Sequence, residues 1–197
     1  MTASTAARPR PIPRGKRPPL IPSNVLAMVL FTLTELMFFA GLFSAFMVAK
    51  GMATDGWPPA GQPRLPVEET AFNTVALLAS GVALYIAGRR FSVAPQSAKM
   101  PMLVAIGLAS FFVAFQGVEW VQLVGEGLVL STSTHGSFFY VMVGLHALHA
   151  IIAIFALYWA YRRLKAETLV KSQLTTVQVF WFFVVGVWPV LYFQIYL

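Results

Sequence analysis

The sequence predicts an all-α fold, a polytopic membrane bundle of five transmembrane helices with the N-terminus inside and the C-terminus outside. Three observations predict it. Of 197 residues, 58% are hydrophobic and only 11% are charged, against about 25% charged in soluble domains; the mean hydropathy is +0.72. The apolar residues gather into five runs, each long enough to cross a hydrocarbon core that takes about 20 helical residues. Finally, Lys and Arg concentrate in alternate non-spanning stretches, as membrane topology demands.

The runs extend from Asn24 to Ala49, Thr70 to Gly88, Met100 to Val124, Ser137 to Tyr161 and Thr176 to Tyr196. Pro22, Ser23 and Asn24 supply a breaker and two candidate N-caps for the first, and Thr70 and Thr176 are candidate caps for the second and fifth. Pro189 lies inside the last run, where a kink is expected. Residues 1–22 hold five basic residues, six prolines and no apolar run; they read as a disordered, basic cytoplasmic tail ahead of a membrane domain over 23–197. The largest outer loop, GMATDGWPPAGQPRLPVEE, is rich in Pro and Gly and reads as an ordered cap with little regular structure.

The tail and its alternate loops carry twelve of the fourteen Lys and Arg residues, and the opposite loops carry Lys50 and Arg64 alone. This asymmetry sets the predicted orientation and accounts for the net charge of +7 without nucleic acid. The chain has no cysteine, which excludes disulfides, thiolate metal sites and iron–sulfur clusters. No nucleophile–base pairing, phosphate-cradling glycine loop or glycosidase-type carboxylate pair is present, so no catalytic residue is assigned.

Ionisable residues inside the spans are costly and call for a reason. Glu35 stands about 11 residues, or roughly 17 Å, from the inner end of the first run. Its helical neighbours Phe31, Thr32, Phe38 and Phe39 favour a neutral acid unless a partner is supplied. Two readings stand: a proton-exchanging or reactive carboxyl, or an acid hydrogen-bonded between helices. Glu119 is roughly 8 Å from the outer end of the third run, and His146 and His149 lie roughly 14 and 18 Å below the outer end of the fourth. A Glu119–His146 hydrogen bond is therefore expected, with His149 near the level of Glu35. The histidines, three residues apart, share one helical face; they suit interhelical polar contact better than a metal site. Axial haem ligands on separate helices are excluded, because every histidine falls between residues 135 and 149. Gly41 with Ala45, and Gly144 with Ala147, are candidates for close helix approach.

In chain order TELMFFAGLFSAF, WPPAGQPRLPV, NTVALLASGVAL, FQGVEW, GSFFYVMVGLHALHAIIA and a closing W-x-x-x-x-x-x-W-P resemble subunit III of the haem-copper terminal oxidases, in its short five-helix bacterial form. The resemblance covers residues 23 to 197. It implies a non-redox accessory subunit of a proton-pumping oxidase in a bacterial plasma membrane. Haem and copper would sit in partner subunits, with no metal or other cofactor in this chain. Subunit I would be the main contact, followed by subunit II and further respiratory-complex subunits, with phospholipid bound in a cleft. Glu35, in a Glu-x-x-Phe-Phe context, matches the family's carbodiimide-reactive intramembrane carboxyl, which implies support of proton uptake. Glu119 matches the family's Glu-aromatic motif, and His146 and His149 its His-Gly-x-His motif with Ala147 in place of glycine. The family's Tyr-Trp-His-Phe-Val-Asp stands here as Phe180 to Val185, with Phe182 and Val185 replacing the histidine and aspartate. The donor, cytochrome c or quinol, is open. Accessory proteins of nitric oxide reductase are a second reading. A free-standing proton-coupled transporter is a third, disfavoured by the lack of an inverted repeat.

Overall fold

Hydrocarbon offers no partner to a backbone N–H or C=O, so an apolar chain of this kind satisfies them within helices. The computed structural model describes residues 21–53, 56–57, 65–127 and 133–196. Residues 1–20 of the tail expected over 1–22, and residues 54–55 and 58–64 of the outer loop, lie outside the described residues. Five long helices follow one another: α1 (Ser23–Gly51), α2 (Val67–Phe91), α3 (Lys99–Gly125), α4 (Thr134–Lys165) and α5 (Lys171–Ile195). All five are long and apolar enough to span a membrane. A 3-10 turn, Pro95–Ala98, joins α2 to α3.

Each helix outruns its apolar stretch at one end or both and, Glu35 and Glu119 apart, places its charges beyond it. Glu68 and Glu69 occupy the first turn of α2, and Arg89 and Arg90 its last, the arrangement that complements the helix dipole. Arg162, Arg163 and Lys165 close α4. There the Arg163 guanidinium lies 5.0 Å from the Trp159 ring. The expected caps are corrected. Helices α1, α2 and α5 start without a side-chain cap at Pro22, Pro66 and Val170, while Ser133 caps α4 by accepting from Gly136 N at 3.0 Å. Thr70 and Thr176 fall inside their helices because proline and backbone turns begin them earlier. Helix α5 continues past Pro189 to Ile195.

The last four helices close a ring, α2 on α3, α3 on α4, α4 on α5 and α5 back on α2. Trp181, Trp188, Phe112, Phe139, Met102 and Met142 fill its centre, fully buried. Alanines admit the close approach: Ala105 and Ala109 on α3, and Ala150, Ala153 and Ala160 on α4, are all fully buried. Helix α1 lies outside the ring against α5 and the edge of α4, and buries only Phe39 and Phe46. Gly41 and Ala45 are exposed, with nothing near the Cβ position of Gly41. That expected contact is not made, because α1 turns Phe39 and Phe46 to the bundle instead. Gly144 does meet a neighbour, the Trp120 ring at 3.6 Å from its Cβ position.

Candidate functional site: two intramembrane polar clusters

Helices α1 and α4 meet at one ion-pair contact. His149 Nδ1 lies 2.7 Å from the Leu145 carbonyl one turn back on α4. A carbonyl only accepts, so Nδ1 carries a hydrogen and Nε2 is the atom offered outward. Glu35 Oε2 stands 3.1 Å from that Nε2. A hydrogen bond across this contact runs either from a carboxyl O–H to Nε2 or from an Nε2–H to the carboxylate. Rings enclose it: Phe39, Phe180 and Phe183 lie 5.7, 6.2 and 6.0 Å from the imidazole centroid. Side-chain exposures of 12% for His149 and 21% for Glu35 leave the pair accessible from the membrane side of the bundle. Glu35, in a largely apolar neighbourhood on its own helix, thus has a partner on α4.

Glu119 belongs to a second cluster. Its carboxylate accepts from the Thr70 hydroxyl at 3.1 and 3.2 Å and from the Gln116 amide one turn back on α3. The Gln116 amide also donates to the Tyr196 hydroxyl at 3.2 Å. Three chain segments, α2, α3 and the end of α5, are tied at one buried acid. The single Thr70 proton is shared with Pro66 O, 2.8 Å away. Glu119, Thr70, Gln116 and Tyr196 are each nine-tenths or more buried.

The expected Glu119–His146 hydrogen bond is not formed. Glu119 turns to α2 and along α3, while His146 packs its ring at 5.1 Å from Trp188 and 6.4 Å from Phe112. His146 Nε2 has no partner among the described residues. Depth alone placed those two residues together; the rotation of α4 about its axis separates them. His135, in the first turn of α4, sits edge-on to Trp57 at 5.2 Å. Among the described residues, no three His, Asp or Glu side chains converge as a metal site would require.

A third set of polar contacts joins α2 to α5 and was missed by the sequence reasoning. Gln178 donates to Leu84 O at 3.0 Å, Trp181 to Ser80 Oγ at 3.2 Å, Trp188 to Thr74 Oγ1 at 2.8 Å and Tyr192 to Val67 O at 3.1 Å. The donors recur along one face of α5 while the acceptors run back along α2. Amide, indole and phenol donors at positions 178, 181, 188 and 192 were the available signal. Of the departures noted in α5, Val185 packs at Gly81, 3.2 Å from its Cβ position, and Phe182 lines a groove shared with α1.

A comparison with known families settles what this bundle is related to. The family model for cytochrome c oxidase subunit III matches residues 22–197. The chain belongs to the cytochrome c oxidase subunit III family. Within the subunit III family, a probable cytochrome c oxidase subunit 3 of Nocardia farcinica is 33% identical over 176 residues, covering 85% of this chain and 84% of that protein. The Mycobacterium leprae counterpart is 31% identical over 174 residues, with 85% and 84% covered. Cytochrome c oxidase subunit 3 of Mus musculus is 31% identical over 193 residues, covering 93% of this chain and 73% of the mouse protein. As a subunit III, the chain is a multi-pass membrane component of an oxidase complex.

Proposed function

We propose that this chain is the non-redox subunit III of a proton-pumping respiratory haem-copper oxidase of the cytochrome c oxidase type. In this reading it packs on subunit I, holds phospholipid and supports proton uptake and stability of the catalytic core from a bacterial plasma membrane. The observation that carries the reading is the Glu35–His149 pair. In it an acid and an imidazole stand 3.1 Å apart between α1 and α4, both only partly enclosed at the edge of the bundle. Groups so placed suit proton support and interhelical contact rather than chemistry within this chain.

The lipid role is supported by an apolar groove of about 460 Å³ between α1 and α5, lined by Leu33, Leu36, Phe39, Phe43, Phe183 and Val187. Its walls offer dispersion contacts to an acyl chain. Tagged protein is expected to purify in mild detergent with large partner chains and to give a reduced-minus-oxidised haem spectrum, with copper present. Quinol rather than cytochrome c oxidation by that complex would assign the quinol oxidase branch, and nitric oxide reduction would assign the other. Recovery of the chain without haem or partners would overturn the subunit reading.

A further inference from the structure

Between α3 and α4 lies a cavity of about 230 Å³, floored by Trp188 and Phe112 and bordered by Gly117 and Ala147. Three buried polar atoms on its lining residues have no partner among the described residues: Trp120 Nε1, His146 Nε2 and Gln116 Oε1. His146 is 1% exposed and Gln116 4%. The ring contacts that hold His146 also prevent it from turning to another partner, since Trp188 lies 5.1 Å and Phe112 6.4 Å away. The Gln116 amide nitrogen is already committed to Glu119 and Tyr196, which fixes its oxygen on the opposite side. Leaving one such group dry is costly, and three around one space more so.

The chemistry of the three atoms selects the occupant. Indole N–H only donates, the amide oxygen only accepts, and imidazole Nε2 does either according to its tautomer. A carbonyl or ether cannot satisfy Gln116, and an ammonium cannot satisfy Trp120. A hydroxyl, with one donor and two acceptor positions, satisfies both. The volume exceeds the roughly 30 Å³ that one water occupies in the liquid, so there is room for several waters or for a head group. We propose that the α3–α4 cavity is a hydroxyl-binding site, filled by ordered water or by the hydroxyl end of a membrane amphiphile, which bridges Trp120, His146 and Gln116.

The test uses the intact complex containing this chain. X-ray radiolysis in heavy-oxygen water converts bound water to hydroxyl radicals in place and marks the side chains beside it. For bound water, His146, 1% exposed, should take up heavy oxygen several-fold more than the equally enclosed Trp181. Gly117→Leu, at a position with nothing within 4 Å of its Cβ, should abolish that excess. For an amphiphile, the excess should appear only after exchange into phosphatidylcholine nanodiscs. Mass spectrometry should then find a hydroxyl-bearing lipid released from the native complex and absent from the Gly117→Leu complex. His146→Phe supplies an independent readout: it should lower the melting temperature of an occupied site and raise that of a dry one. No excess labelling, no released amphiphile and a raised melting temperature would overturn the proposal.

Discussion

At the scale of single residues, the consequential contact is the one between Glu35 and His149. Because Nδ1 is held by Leu145 O at 2.7 Å, the two readings of Glu35, exchangeable acid and interhelical tie, describe the same proton. Substitutions separate its two roles. A glutamine at position 35 still offers an N–H to the imidazole but carries no exchangeable acid; a leucine offers nothing and leaves Nε2 alone. Glu35→Gln is therefore expected to change the stability of the complex little. Glu35→Leu is expected to cost about 1–3 kcal/mol in denaturant or thermal unfolding, as for a buried group left unpaired. Combined with His149→Phe, the two changes should show a coupling of about 0.6–1.7 kcal/mol, the range for interhelical hydrogen bonds in membrane proteins. Equal damage from Gln and Leu would refute the pairing. The depth of both residues was legible from helical rise along the sequence. Their contact was not, since depth says nothing about which helices are neighbours or how each is rotated.

At the scale of elements, the α2–α5 seam gives α5 a polar face beside the apolar Phe182 and Val185. The four donors on Gln178, Trp181, Trp188 and Tyr192 reach α2 directly. Where the receiving group is a hydroxyl, it passes the bond on to its own helix: Thr74 donates to Thr70 O at 2.7 Å, and Ser80 to Leu77 O. Gly88 gives Gln178 its space, because a Cβ there would strike the Gln178 amide. Gly88→Ala should therefore displace that side chain and cost about 1 kcal/mol, the worth of one hydrogen bond. In a Gln178→Ala background the same change should be neutral or stabilising, since alanine exceeds glycine in helix propensity by about 1 kcal/mol. Thermal unfolding of the four variants measures this; a Gly88→Ala penalty undiminished in that background would place the conflict in the backbone instead. The sequence marks Trp181, Trp188 and Gln178 as amphipathic residues in an apolar run. It does not say that α2 is their acceptor, because α2 and α5 are separated by two intervening helices.

At the scale of the whole molecule, a closed ring of four helices carries a fifth on its outside, and α1 is attached chiefly through Phe39, Phe46, the Glu35–His149 pair and an Asn24–Thr176 bond of 2.9 Å. From the distribution of Lys and Arg we expect the α2–α3 turn to face the inside. The cysteine-free sequence makes this measurable: a membrane-impermeant maleimide should label Ser97→Cys only from the inner side and Glu126→Cys only from the outer side. The reverse pattern would invert the topology. The sequence alone determined the number of spans, their approximate limits and the shared level of Glu35 and His149, because these depend on local apolarity and helical rise. Tertiary structure alone decided the partners: His149 rather than no one for Glu35, Thr70 and Gln116 rather than His146 for Glu119, and the rings of Trp188 and Phe112 for His146. An apolar helix in an apolar solvent has no strongly amphipathic pattern to announce its inward face. Rotation and neighbour order are then set by side-chain packing and by the few polar groups that must find one another, and neither is written in any single helix.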